Sequence, residues 1–446
     1  MVIIDYFLSL GSTVFVPLVL ILIGIILGQG ILRAVRSGIT VGIGFIGLNL
    51  AISLISNTLE PAVNQIVERF SFNLTVLDIG SGAAAGVAFS TVIGALIIPA
   101  VFILNVILLL VGFTKTMNID IFNYSHYAFT GAVVHLMTGS IPLGIAASLI
   151  QATWSLLSAD YSAKQVQEAV GVEGISIPQG YASSTVPLFT ILDKIYDRIP
   201  LLRDSKLDLS YLQGRIGMFG DPTIIGAALG AILALLAGYN FAEGTNLVMG
   251  VVAIMILFPR MVKIIVEGLL PISNSAKSFF NKHFQGKEVY IGLDSALTLG
   301  LPTTQIVGTM LIPITLILAV ILPGNKVLPL GDLAFAAFFT CMATIIHKGN
   351  ILKTILSGII NMVGILYIAS WFAPYFSELA AKSGAVSIQS QTTALWNGNV
   401  FDFIIAKLGG MGAIGIGILI IGTIPLGLYV KKVSSEKEKI YKEKVN

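Results

Sequence analysis

Residues 84–112 run the length of a membrane crossing without one charged side chain, and similar stretches recur along the chain. A helix needs about 20 mainly apolar residues to cross the hydrocarbon layer. Stretches of that kind lie near 12–32, 38–57, 84–112, 124–138, 141–157, 222–239, 245–268, 303–323, 331–347, 351–374 and 408–430. The expected fold is an all-α integral membrane protein with about eleven transmembrane helices. The third stretch carries Pro99, which predicts a tilt or kink there. Only 11% of the 446 residues are charged, against about 25% in a soluble domain. Too few charges remain to cover a water-facing surface, which excludes a soluble enzyme, a nucleic-acid binder and a disordered chain. The single cysteine, Cys341, excludes a disulfide framework and a cysteine-ligated metal site. Met1 to Asp5 lacks the basic stretch of a cleavable signal, and the apolar run that follows is long enough to span.

The basic residues set the orientation. With the N-terminus outside, all of the 26 Lys and Arg residues except Arg69, Lys326, Lys382 and Lys407 fall on inner loops or on the tail. The expected arrangement is therefore N-terminus out and C-terminus in. The tail from Lys431 to Asn446 alternates Lys and Glu and reads as a solvated cytoplasmic end.

The chain resembles itself at an offset near 212. Ile97-Ile-Pro-Ala-Val-Phe-Ile-Leu104 matches Leu311-Ile-Pro-Ile-Thr-Leu-Ile-Leu318, Val133-Val-His135 matches Ile345-Ile-His347, and Leu59-Glu-Pro61 matches Leu269-Leu-Pro271. Leu77-Asp78 lies near the equivalent of Leu293-Asp294, and Ile175-Ser-Ile177 matches Val386-Ser-Ile388. Each copy holds two spans, an amphipathic segment, three spans and one polar hairpin. Because five spans is an odd number, the second copy enters from the opposite side. Such inverted-topology repeats mark alternating-access transporters. The expected units are 1–82 and 222–289, the first two spans and amphipathic segment of each copy; 83–221 and 290–407, the core repeats with hairpins near 170–190 and 384–400; a last span, 408–430; and the tail, 431–446.

The hairpins are too polar to face lipid and too apolar for ordinary loops. Irregular backbone at membrane depth is tolerated where protein or a water-filled cavity surrounds it. Re-entrant hairpins fit, the first broken at Pro178 and Gly180, with Gln179, Ser183 and Ser184 available to sugar hydroxyls. Glu173, just before it, is placed to orient Gln179 or to touch substrate. Asp294 sits in the apolar segment Tyr290-Ile-Gly-Leu-Asp-Ser-Ala-Leu-Thr-Leu-Gly300. A carboxylate there is costly to bury and is a functional candidate, as a double hydroxyl acceptor or a general base; it also suits a helix N-cap. Asp78 carries the same two readings. Asp120, Asn123, His126 and Thr130 recur at helical spacing, which predicts one polar stripe facing the bundle interior. That stripe either binds substrate or hydrogen-bonds neighbouring helices. His135 and His347, matched across the repeat, read as structural. The chain carries no Walker motif, zinc-ligand cluster or nucleophile elbow. No cofactor or metal is expected.

Gly42-Ile-Gly-Phe-Ile-Gly-Leu48, Asn118-Ile-Asp-Ile-Phe-Asn123, His126 with Phe129-Thr-Gly-Ala132, Glu173-Gly-Ile-Ser-Ile-Pro178, Phe219-Gly-Asp-Pro222, Ile291-Gly-Leu-Asp294, Gly331-Asp-Leu333 and His347-Lys-Gly-Asn350 resemble the galactitol family of bacterial phosphotransferase-system permeases, the membrane IIC subunit. The similarity runs from about residue 8 to 430, and the family is related to the ascorbate permeases. The resemblance implies a homodimer in which a mobile core moves against a scaffold as an elevator. It implies a polyol or sugar substrate phosphorylated by a cytosolic IIB subunit from a phosphocysteine, with IIA upstream. By analogy with the ascorbate branch, it assigns substrate contacts to Gln179, His126, Thr130 and Asp294, and less directly to Asp78. Galactitol permeases tend to carry histidine after the hairpin proline, where this chain has Gln179. Glutamine donates and accepts hydrogen bonds but carries no proton at neutral pH, so either the substrate differs or this position only binds.

No soluble module with a reactive cysteine is present in the sequence, and Cys341 lies within a span, so the phosphoryl donor is expected on a separate protein. Its dock would be the basic inner face, including the 194–215 loop and the loop around Lys277 to Lys287. An ion-coupled carrier of a small polar solute on the same scaffold is the competing expectation, and a non-transporting membrane scaffold is a third.

Overall fold

The computed structural model describes residues 12–71, 74–120, 123–203, 205, 207, 222–283, 289–329, 331–383 and 391–445. The chain is helical, with two small sheets. Five of the described helices are long and apolar enough to cross a membrane. Many of their outward side chains are large and apolar, such as Phe102, Ile103, Ile107 and Leu110 on one helix and Ile414, Ile421 and Leu428 on another. Such a surface suits hydrocarbon and not water.

The element order repeats. The first copy runs α1 (Ser12–Ile26), α2 (Ile31–Arg69), β1 (Val76–Asp78), α3 (Ser81–Ser90), α4 (Val92–Leu110), β2 (Thr116–Asn118), α5 (Tyr124–Thr138), α6 (Ile141–Val170), β3 (Ile175–Ser176) and α7 (Gly180–Tyr196). The second runs α8 (Pro222–Ala237), α9 (Phe241–His283), β4 (Tyr290–Gly292), a 3-10 turn (Ser295–Gly300), α10 (Pro302–Ile321), β5 (Val327–Leu328), α11 (Ala336–Ile346), α12 (Ile351–Ser383), β6 (Gln391–Thr393) and α13 (Val400–Gly409). A last helix, α14 (Ala413–Val445), follows.

Local chemistry sets several boundaries differently from the apolar pattern. Gly28 and Gly30, both at positive φ, make the turn between α1 and α2, so the break comes before the expected 32–38. The long third stretch is not one helix. It divides at Thr91, whose Oγ1 accepts from Gly94 N at 3.0 Å and caps α4, while Pro99 lies inside α4. The amphipathic segments are continuous with α2 and α9, which are 39 and 43 residues long. Helix α6 starts on the N-cap Ser140 and reaches Val170 before Gly171 turns left-handed, so it runs well past the expected end of that span at 157. Pro178 and Gly180 of the first hairpin do not interrupt a helix. They join strand β3 to the first turn of α7. Residues 384–390 of the second hairpin, the 208–221 region and the 284–288 loop lie outside the described residues.

The two sheets were not foreseen. One has the order β5-β1-β6 and the other β2-β4-β3, all parallel. In each, one copy supplies the central strand and the other copy the two outer ones. Val76 pairs with Val327 and Gln391, and Ile291 pairs with Met117 and Ile175. The copies are thus interlocked through backbone hydrogen bonds that neither could satisfy alone. Among the helices, α2 packs along α9, with α1 and α8 beside them, while α5, α6, α13 and α14 form a second group and α7, α10, α11 and α12 a third.

Candidate functional site

Every strand is short, and the segments that leave their C-terminal ends converge. The segment after β3 begins with Pro178 and Gln179, and that after β4 holds Asp294. The segment after β6 holds Trp396 and Asn399, and β2 leads into α5 with His126. His126 is fully buried at the meeting point. Its Nε2 lies 3.3 Å from Gln179 Nε2 and its Nδ1 3.4 Å from Asn399 Nδ2. Asp402 Oδ2 is 3.6 Å from Nδ1, and the Trp396 ring lies against the imidazole with centroids 4.7 Å apart. Asp294 and Asp332 also interact with the ring electrostatically.

Gln179 and Asn399 hold equivalent places. Gln179 caps α7, its Oε1 accepting from Ala182 N at 2.6 Å, and Asn399 caps α13, its Oδ1 accepting from Asp402 N at 2.9 Å. Two helix N-termini, one from each copy, therefore face one histidine with their partial positive charge. Gly180 is required on steric grounds. A Cβ there would fall 2.5 Å from His126 Cβ and 2.7 Å from Cγ.

The residues expected at the site are placed as follows. His126, Gln179 and Asp294 come together. Asp294 is half-buried, and its Oδ1 accepts from Ala296 N at 2.6 Å, capping the 3-10 turn. Thr130 is buried one turn along α5 from His126, and its hydroxyl has no hydrogen-bond partner among the described residues. Ser183 is buried in the first turn of α7, its hydroxyl donating to Gly180 O at 3.3 Å. Glu173 is exposed before β3, while the hydrogen bonds of Gln179 go to Ala182 and His126.

Asp78 lies one layer away. Its Oδ1 accepts from Gly80 N and Leu395 N at 3.1 and 3.2 Å, and its Oδ2 from Asp332 N at 2.8 Å. Asp332 returns the arrangement, accepting from Ser81 N at 2.6 Å and Trp396 N at 3.0 Å. The pair fixes the turn that carries Trp396. Asp78 and Asp294 share the same local motif, accepting from the amide two residues on, but Asp78 ends its strand whereas Asp294 lies two residues past the equivalent Gly292.

The expected polar stripe is shorter than its spacing predicts. Helix α5 begins at Tyr124, because Asn118 Oδ1 accepts from Asp120 N and from Asn123 Nδ2 and holds both residues in the preceding turn. Only His126 and Thr130 share the helix. His347 has both nitrogens engaged, Nδ1 with Asp193 Oδ1 and Nε2 with Ser357 Oγ, each at 2.8 Å. His135 is half-buried, so the two matched histidines do not share an environment.

Sequence reading missed Asp402, Asn399 and Trp396. Asp402 is fully buried, and its Oδ1 accepts from Gln151 Nε2. The signal available was a carboxylate in the Val400–Gly409 segment, whose other residues are apolar apart from Lys407, hidden by its position at a helix start. Among the described residues, no group of three His, Cys, Asp or Glu side chains is placed to hold a metal ion.

The sequence pattern of the family described as "PTS system sugar-specific permease component" (EIIC-GAT) matches residues 6–391. An Escherichia coli (strain K12) protein named "Putative permease IIC component" is 52% identical over 430 residues, covering 96% of this chain and 98% of the relative. The "PTS system galactitol-specific EIIC component" of the same strain is 36% identical over 393 residues, covering 88% and 87%. Its namesake from strain O157:H7 matches to the same extent. A pattern that covers most of the chain, on a helical membrane fold, carries the conclusion that this chain belongs to the family of sugar-specific permease components, the IIC subunits, of the bacterial phosphotransferase system.

Proposed function

We propose that the chain binds a galactitol-like polyol or sugar from outside and delivers it inward as a separate IIB subunit phosphorylates it. The observation that carries this reading is the convergence of both copies on His126. One imidazole, two side-chain amides, a half-buried carboxylate and an indole ring surround one point. Amides, imidazole and carboxylate all bond hydroxyl groups, and an indole ring offers an apolar face beside them.

In this reading Asp294 binds a hydroxyl and assists its deprotonation. His126 and Gln179 bond further hydroxyls, Thr130 lies behind His126, and Ser183 lines the first turn of α7. Asp78 shapes the wall through Asp332 and Trp396. Glu173, exposed before β3, is assigned to the approach rather than to the bound sugar. The helices α1, α2, α8 and α9 are the scaffold and dimer element, and the rest is a core that moves as an elevator. The eleven-span count, the two re-entrant segments, the inverted orientation of the copies and the N-out, C-in arrangement belong to the same proposal.

The IIB subunit would dock on the inner basic face. Of its described residues, Lys194, Arg198 and Lys348 are exposed. Lys353 is paired with Asp197 at 2.7 Å and Asp193 at 3.4 Å, so its charge is largely spent within the protein.

Uptake of a polyol panel into vesicles, with and without phosphorylated IIB, tests the proposal. Phosphorylated substrate inside, dependent on IIB, is expected. Free substrate accumulating under an ion gradient would replace this reading with an ion-coupled carrier.

A further inference from the structure

The two N-caps determine how His126 is protonated. Gln179 Oε1 is committed to Ala182 N, and Asn399 Oδ1 to Asp402 N. Both amides must therefore turn their NH2 groups to the ring, Gln179 toward Nε2 and Asn399 toward Nδ1. A neutral imidazole has one accepting nitrogen, so it accepts from only one of them. Asp402 decides which. It is fully buried, its Oδ1 is taken by Gln151, and its Oδ2, which has no partner at hydrogen-bond distance among the described residues, faces Nδ1 at 3.6 Å.

With the proton on Nδ1, the ring donates toward Oδ2 and Nε2 accepts from Gln179. With the proton on Nε2, that N–H opposes the Gln179 NH2, and the buried Oδ2 faces a ring nitrogen that carries no proton, the more costly arrangement. Asp294 and Asp332 are the other charged groups that act on the ring, through space. Tyr181, from α7, lies with its ring centroid 6.5 Å away.

We propose that Asp402 is a positioning residue that holds His126 as the Nδ1–H tautomer, so that Nε2 is a hydrogen-bond acceptor reserved for a hydroxyl donor of the substrate. The hydroxyl takes the place of the Gln179 NH2 at Nε2. A methoxy or fluoro group at that position has no proton to give and is rejected. This inference rests on the polyol reading for the identity of the donor, but the tautomer itself does not.

The chain has four histidines. Nitrogen NMR of the full-length protein labelled with 15N-histidine therefore reads the tautomer directly, with His126 assigned by the resonance lost in His126→Gln. The expected state at neutral pH is protonated Nδ1 and bare Nε2. In Asp402→Asn the new side-chain oxygen stays with Gln151 and its NH2 faces Nδ1, so the signal is expected to move to the Nε2–H form. A wild-type ring that is Nε2–H or doubly protonated overturns the proposal, and so does a folded Asp402→Asn protein with an unchanged ring. If that variant does not fold, the wild-type spectrum decides alone. Failure of phosphorylation-linked uptake would leave these spectra unchanged, so the two readings fail separately.

Discussion

At the scale of single residues, Asp294 offers a clean separation of charge from fold. Its Oδ1 caps the 3-10 turn through Ala296 N, and asparagine keeps that acceptor. Asp294→Asn should therefore fold and lose only the charged contact with substrate. A hydrogen bond to a charged group contributes about 1.5–3 kcal/mol, so substrate affinity should fall roughly 10- to 100-fold while the melting temperature stays within about 2 °C of wild type. Substrate titration and thermal unfolding on one detergent-solubilised sample check both halves; unchanged affinity would remove Asp294 from the site. Gly180→Ala makes the opposite case. Its Cβ would press on His126 Cβ and Cγ, and overpacking of this kind costs about 1–3 kcal/mol. It should abolish uptake by displacing the ring, although the added methyl group touches no substrate.

At the scale of elements, Asp78 and Asp332 hold the β5-β1-β6 sheet to the turns that follow it. Removing the Asp78 carboxylate leaves the amides of Gly80, Leu395 and Asp332 without acceptors in a buried place. Each costs about 1–3 kcal/mol when unsatisfied, so Asp78→Ala should lower stability by roughly 3 kcal/mol or more, read as a loss of melting temperature. Asp78→Asn, which keeps one acceptor oxygen, should recover part of it. Full stability of Asp78→Ala with lost binding would instead make Asp78 a direct substrate ligand. This pair also shows how far the elements were legible. Apolar length located α5 and α10 closely and the starts of α6 and α12, while their ends ran further and the stretch holding α4 divided in two. The repeat emerged from short matches, and the described elements recur in the same order, although Val386 to Ile388 lie outside the described residues. The strands did not emerge, because two or three residues carry no readable period. Asn118 ended the expected polar stripe through its side chain, which no periodicity records. Asp402 looked like an ordinary charge at a helix start until packing brought it to His126.

At the scale of the whole molecule, the two sheets give the inverted arrangement a consequence that can be measured. Each sheet draws its centre from one copy and its flanks from the other, and the strands of both lead toward His126. If the copies are inverted, the entrances to the two sheets lie on opposite sides of the membrane. Lys326, exposed immediately before β5, marks one entrance. Lys115 and Lys164, whose ammonium groups lie 6.0 and 5.6 Å from the Tyr290 ring centroid at the start of β4, mark the other. The native chain suits thiol labelling, since its one cysteine, Cys341, is buried and gives little background. Lys326→Cys should react with a membrane-impermeant maleimide applied to intact cells. Lys431→Cys, exposed on α14 toward the tail, should react only after the cells are opened. Both positions retain their surroundings in the variants, because neither lysine is buried. Labelling of both from the same side would contradict the inverted repeat, and with it the alternating exposure of His126 proposed above.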